Sequence, residues 1–326
     1  MLFWLLLHFL IAAAGTLLAR RYALQRDLLD HPGERRSHQV ATPRGGGIAI
    51  VVAMLVAILA LALRDPSQRW LLGGFGVGLV LVAAVGMVDD HRPLPASLRL
   101  AVHALAGMVL AISVQMAAGN PWLSAMAFLS VIVLTNIWNF MDGINGLATS
   151  QALLLALALA WLLGGSWALL AGALAASCTG FLPFNFPRAR IFLGDGGSGG
   201  IGYCLAGLGT IAALTGGAAA LWLLLPLSAF MVDAGLTLLK RVVQRERWWE
   251  AHTRHAYQAW ARVVGHTRVT LAYASWTATT VAVMIVLRST PVALALALCV
   301  VTYLAASVVW WRLERMESHI KTTGDK

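Results

Sequence analysis

The sequence predicts an all-α polytopic integral membrane protein of about 11 transmembrane helices, with the N-terminus outside and the C-terminus in the cytoplasm. Three observations predict it. Of 326 residues, 59% are apolar and only 12% charged, and the mean hydropathy is +0.76. A soluble domain carries about 25% charged residues, so an ordinary cytosolic enzyme, a disordered chain and a disulfide-stapled secreted domain are excluded. Apolar stretches of spanning length recur along the whole chain. Finally, the basic residues are shared very unequally between the segments that join those stretches.

The stretches fall near 2–19, 45–63, 70–88, 98–117, 122–138, 147–163, 166–183, 199–214, 218–238, 269–287 and 291–311. The first has no basic segment before it and no A-x-A site after it, so it reads as a retained span. The stretches at 147–163 and 166–183 are joined by so few residues that they must be antiparallel neighbours. Residues 1–326 read as a single transmembrane domain, with cytoplasmic loops near 20–44, 89–97, 139–146, 184–198 and 239–268. The cytoplasmic side holds 21 of the 24 Lys and Arg; the other side holds only Arg64, Arg69 and Arg288. That split sets the orientation. It also makes the net charge of +10 a topology signal, with no nucleic-acid partner expected. Cys178, Cys204 and Cys299 lie inside apolar stretches without metal-ligand spacing and read as small core residues.

The acidic residues are more informative. Of 14, only Asp65 falls on the outer side. Asp89, Asp90, Asp142, Asp195 and Asp233 lie at or just inside the cytoplasmic ends of five spans. Ionisable groups at that depth are costly and usually face a shared cavity, so the five are expected to converge. Asp89-Asp90 closes the third span at the negative end of a helix dipole, where two carboxylates need a cation or a proton. In Asn139-Phe-Met-Asp142-Gly143-Ile-Asn145-Gly146, the three polar side chains are spaced by three. They would share a face if the turn stayed helical, offering oxygen ligands for Mg²⁺ and polar contacts for a nucleotide. The run Phe192-Leu-Gly-Asp195-Gly-Gly-Ser198-Gly-Gly predicts a glycine-rich turn whose free N–H groups suit phosphate, with Ser198 as an alternative N-cap.

Two basic loops complete the set. The first carries Arg35, Arg36, His38 and Thr42-Pro43-Arg44-Gly45-Gly46-Gly47. The long loop carries Arg245, Arg247, Trp248, Trp249 and then His252-Thr-Arg254-His255. Most of these charges read as headgroup contacts. The cluster at 252–255, with Tyr257, is suited to a pyrophosphate or sugar.

In this order these motifs resemble the polyprenyl-phosphate N-acetylhexosamine-1-phosphate transferases, glycosyl transferase family 4. The likeness runs from about residue 27 to 260. The loop Asp30-x-Pro, Arg36-x-His38 and Pro43-Arg-Gly-Gly-Gly looks most like the branch that initiates bacterial O-antigen. The resemblance implies Mg²⁺-dependent transfer, with Mn²⁺ as an alternative ion, of a sugar 1-phosphate from a UDP-N-acetylhexosamine such as UDP-GlcNAc or UDP-FucNAc. The acceptor is undecaprenyl phosphate and UMP is released, in the bacterial inner membrane at its cytoplasmic face. The product would start O-antigen or another cell-surface glycan.

By the same resemblance Asp89 matches a carboxylate that deprotonates or orients the lipid phosphate, and Asp90 its diphosphate- or metal-side neighbour. Asp195 matches the metal-binding aspartate, and Asn139 the amide that reaches metal or nucleotide. Asp142, grouped with the catalytic carboxylates, and Asn145 match nucleotide-site positions. Asn185, Arg44, His252, Arg254 and His255 complete the substrate set. Family members are often dimers, so a homodimer is part of the expectation. The peptidoglycan branch has three histidines in its motif, an aspartate in place of Asn145, and a lysine where this chain has His91 and Arg92. These departures argue against UDP-MurNAc-pentapeptide as donor, and leave Arg92 and Arg99 as the bases to pair with phosphate. The rival reading is a transporter or flippase of lipid-linked substrates. It calls for charged sites near mid-membrane in paired broken helices, whereas here the acids collect on one side.

Overall fold

The computed structural model describes residues 1–30, 41–247, 249 and 253–324. Twelve α-helices follow in chain order: α1 Leu2–Gln25, α2 Ile48–Arg64, α3 Arg69–His91, α4 Ala96–Ala118, α5 Pro121–Phe140 and α6 Leu147–Leu162. Then come α7 Gly165–Asn185, α8 Gly194–Gly216, α9 Leu224–Val243, α10 Ala256–Val264, α11 His266–Leu287 and α12 Val292–Gly324. A two-stranded antiparallel ribbon, β1 Leu29–Asp30 with β2 Thr42–Pro43, lies between α1 and α2. Among the described residues, nine helical segments are long and apolar enough to cross a membrane. The further apolar helices α2 and α6 have 17 and 16 residues.

Local chemistry sets the helix ends. Gly119 closes α4 in the left-handed conformation (φ +61°) and returns its N–H to the Gln115 carbonyl. The next residue, Asn120, opens α5 by accepting from the Trp122 and Leu123 amides at 3.0 and 3.2 Å, with Pro121 at the first helical position. A left-handed stop followed at once by a capped start folds α5 back against α4. In lipid such polar ends need internal partners. At the opposite end of the bundle from the aspartate pair, Asp65 accepts from Ser67 (2.6 Å) and Ser166 (2.8 Å), and Trp167 donates to Gln68 at 3.1 Å.

The centre is α8, where 72% of the residues in its apolar stretch are buried, against 11% for that of Val292–Arg315 in the outer helix α12. It packs on α3 and α5 and also touches α2 and α6. Its glycines explain this position and correct a sequence expectation. The run from Gly194 is not a turn ahead of the span but the first two turns of α8 itself. A Cβ on Gly197 would lie 2.5 Å from the Gly47 Cα, and one on Gly202 2.5 Å from the Leu134 carbonyl. Small residues let the backbones approach to a distance that larger side chains forbid. Cys178, Cys204 and Cys299 are free and buried, as expected.

Candidate active site

The C-terminal ends of α3 and α5, the N-terminal end of α8 and the β ribbon meet at one end of the bundle. The Phe192 amide donates to Pro43 at 2.8 Å, and the Gly46 and Gly47 amides donate to Phe192 and Leu193 at 2.9 Å. This ladder seats Asp30 and Arg44 beside the start of α8.

Within it the two adjacent aspartates take different work, as residues neighbouring on a helix must. Asp90 is buried, and its carboxylate accepts from the Asp195 amide at 3.0 Å and the Gly196 amide at 3.3 Å. It therefore caps α8 from a neighbouring helix and neutralises two of the N–H groups that every helix start leaves unpaired. Those are the donors the sequence offered to a phosphate, so that expectation is corrected at two amides, and Asp90 braces the start of α8. Gly194 makes this possible. Its φ is +74°, and a Cβ there would stand 2.5 Å from Asp90 Oδ2. Ser198 is not the cap; its hydroxyl donates to the Gly194 carbonyl at 3.0 Å.

Asp89 is partly buried. It accepts from the Leu94 amide at 2.6 Å and from Arg99 Nη1 at 2.8 Å, and the same Nη1 reaches Asp195 Oδ2 at 3.0 Å. Of the two arginines the sequence left open, the site takes Arg99; Arg92 is exposed. His91 turns outward to the Met87 carbonyl (2.8 Å) and the Tyr22 hydroxyl (3.2 Å). Arg44 donates to the Asp90 carbonyl from the ribbon side.

Asn139, at the end of α5, donates to Ser198 Oγ at 3.3 Å, and its Oδ1 receives no hydrogen bond among the described residues. Asp142 follows on the turn. Its amide reaches the Asn139 carbonyl at 3.4 Å, while its carboxylate has no hydrogen-bond partner among the described residues. Enclosure first, then the charges of Asp195, Asp90 and Asp30, push Asp142 well above the usual carboxylate range. Asp30 was noted only as part of a loop pattern. Nothing in its spacing shows that the ribbon carries it to Asp142.

Several expected site residues have structural contacts of their own. The turn after Phe140 is not helical, so Asn139, Asp142 and Asn145 do not share a face. Asn145 donates to the Pro187 carbonyl at 3.0 Å. Asn185 is buried with both ends of its amide used, accepting from Gly146 at 2.9 Å and donating to Ile191 at 3.0 Å. Asp233 does not join the cluster. Buried in α9, it accepts from the Ala256 and Tyr257 amides at 3.0 and 2.9 Å and caps α10.

His255 is buried beside Asp233 (Nδ1 to Oδ1 3.5 Å) and stacked between Tyr257 and Phe140. Arg254 is exposed and paired with Glu246. His252, His38, Arg35, Arg36 and Trp248 lie outside the described residues.

Asp89, Asp90, Asp142 and Asp195, with Asp30 from the ribbon, crowd five carboxyl groups against two arginines (44 and 99). Among the described residues, no three His, Cys, Asp or Glu side chains form a ready-made ion site. The free oxygens of Asp142 and Asn139 beside Asp195 are nevertheless the hard donors a small divalent cation takes. Such an ion uses one or two carboxylates and draws its remaining ligands from water and phosphate.

Residues 72–213 match the model described as Glycosyl transferase family 4. The chain is 32% identical to a decaprenyl-phosphate N-acetylglucosaminephosphotransferase of Mycobacterium tuberculosis, over 60% of this chain and 56% of that protein. It is 33% identical to a phospho-N-acetylmuramoyl-pentapeptide-transferase of Moorella thermoacetica, over 55% and 64%. To an undecaprenyl-phosphate alpha-N-acetylglucosaminyl 1-phosphate transferase of Thermotoga maritima it is 26% identical, over 78% and 80%. The chain thus spans little more than half the length of its mycobacterial relative.

Proposed function

We propose that this chain, whose residues 72–213 match Glycosyl transferase family 4, is a polyprenyl-phosphate hexosamine-1-phosphate transferase that moves a sugar 1-phosphate from a UDP-N-acetylhexosamine to undecaprenyl phosphate and releases UMP. The observation that carries this reading is the meeting of Asp89, Asp142, Asp195, Arg44 and Arg99, from separate elements, at one end of an apolar bundle. A site there is open to a water-soluble nucleotide sugar and to a lipid arriving from the bilayer. The 21-to-3 division of basic residues supports placing that end in the cytoplasm.

Phosphoryl transfer asks for alignment and charge neutralisation more than covalent chemistry. An oxygen of the lipid phosphate attacks the phosphorus attached to the sugar, and the bond from that phosphorus to UMP breaks. The lipid phosphate is already anionic near neutral pH, so Asp89 serves by orienting it rather than by taking its proton. Arg99, held between Asp89 and Asp195, offers its remaining N–H groups to the incoming phosphates. Mg²⁺, held by Asp195 with Asn139 and Asp142 beside it, would neutralise charge developing on the departing UMP. The names of the mycobacterial and Thermotoga relatives support N-acetylglucosamine as the sugar, and an O-antigen or similar surface glycan is the proposed destination.

The test is UMP release and lipid-linked sugar formation by purified protein with undecaprenyl phosphate, Mg²⁺ and a panel of UDP-N-acetylhexosamines. One donor is expected to react, and Asp89→Asn and Asp195→Asn to be inactive. A panel that yields no lipid-linked sugar, or variants as active as the parent, overturns the reading.

A further inference from the structure

The turn that carries Asp142 is gripped from the side by a helix that takes no direct part in the carboxylate cluster. Tyr257, on the first turn of α10, is fully buried and donates its hydroxyl to the Phe140 carbonyl at 2.9 Å. That carbonyl ends α5 and would otherwise be one of the unpaired acceptors of a helix C-terminus. Gly143, the residue after Asp142, is moulded to the same hydroxyl. A Cβ there would stand 2.2 Å from the Tyr257 oxygen and 2.9 Å from Gln258 Nε2. The hydroxyl therefore touches the backbone on both sides of Asp142.

Behind it α10 is anchored by Asp233. Besides the Ala256 and Tyr257 amides, that carboxylate accepts from the Tyr273 hydroxyl at 2.7 Å and the Thr237 hydroxyl at 3.4 Å. His255 stacks on the Tyr257 ring with 5.7 Å between centroids and on Phe140 with 6.1 Å. From α11, Thr270 donates to the Asn145 carbonyl at 2.8 Å and holds the far end of the turn. A buried acid with several donors, a buried phenol on a helix end and a glycine fitted beneath it make one continuous connection from α9 to Asp142.

We propose that Tyr257 is a positioning residue for the transfer reaction: from an α10 anchored on Asp233, its hydroxyl holds the Asp142 turn in register with Asp89 and Asp195. This rests on the transferase reading above. It gives the segment after His252-x-x-His255 a task distinct from contact with the sugar nucleotide.

Tyr257→Phe keeps the ring and removes only the bond to Phe140. In purified enzyme with Mg²⁺, undecaprenyl phosphate and the reactive UDP-sugar, it is expected to lower kcat roughly five- to tenfold and leave both KM values unchanged. In an Asp142→Asn background the same change is expected to cost nothing further, because the group being positioned is gone. Equal losses in the two backgrounds, or no loss in either, overturn the proposal.

A second measurement needs no turnover. The native cysteines are buried, so an Asp142→Cys thiol is the one a water-soluble maleimide reaches. Its modification is expected to be several-fold faster when Tyr257→Phe is added. An unchanged rate overturns the proposal even if Tyr257→Phe slows the enzyme through poor folding. If the wild type transfers no sugar phosphate at all, the transferase reading fails, and the labelling arm still decides whether Tyr257 holds the turn.

Discussion

Asp90 and Asp89 stand side by side in the chain and act on different things, and this divides their expected phenotypes. Asp90→Asn keeps an oxygen for the α8 amides, while Asp90→Ala removes it. The alanine is expected to cost about 1–2 kcal/mol in thermal unfolding in detergent and the asparagine much less. A dead but fully stable Asp90→Asn protein would return Asp90 to the catalytic group. Asp195→Asn, by contrast, is expected to lose about 10²-fold or more in turnover with little change in unfolding temperature, measured over a magnesium titration. Gly143→Ala drives a methyl into the Tyr257 hydroxyl, so its activity is expected to fall and to recover in part when Tyr257→Phe is added. At this scale the chemistry-bearing residue types were legible in the sequence. Their division of labour was not. Asn185 and His255 match functional positions by order, but whether an amide or imidazole faces a ligand or a neighbouring loop depends on contacts across about 40 and 20 residues of chain respectively.

The helices themselves were legible from apolar runs, because lipid allows few other backbone arrangements. The start of α8 was not, since seven residues rich in glycine lack the apolar signal and are ordinarily poor helix formers. Packing and the Asp90 cap override that propensity. Gly197→Ala is accordingly expected to destabilise by about 1–3 kcal/mol through overpacking against Gly47, read by thermal unfolding. Helix α10 was hidden inside a basic loop, too short and too polar to announce itself. The loop before it has its own pH dependence. Hydrogen bonds from Arg241 and Arg254 hold the partly buried Glu246 below its usual value of 4.5. A lowered acid contributes its stabilisation above the unfolded pKa and loses it as pH falls through the folded one. Limited proteolysis near 244–247 is therefore expected to quicken as pH falls below the usual glutamate range, and Glu246→Gln to remove that dependence.

For the whole molecule, orientation rests on charge asymmetry, and the measurement is direct. Ser67→Cys, at the end away from the aspartates, is expected to react with a membrane-impermeant maleimide on intact cells. Arg92→Cys is expected to react only after permeabilisation, and the reverse pattern would invert the topology. The side of the acidic cluster was legible because span ends alternate. Its exact membership was not, because Asp233 sits at the right depth yet on a helix that turns it toward α10.

One consequence follows from Arg99 lying between Asp89 and Asp195. The centre already contains its own counter-ion, so under the transferase proposal a cation binding Asp195 would have to compete with a guanidinium. If Asp195 were to hold a divalent ion, Arg99 would be the group displaced, and its guanidinium would then be available to phosphate. Arg99→Ala is expected to bind Mn²⁺ more tightly than the parent when titrated by electron spin resonance, and to bind UDP-sugar more weakly. A variant that loosens its hold on the ion would mean that the arginine supports the metal rather than competing with it.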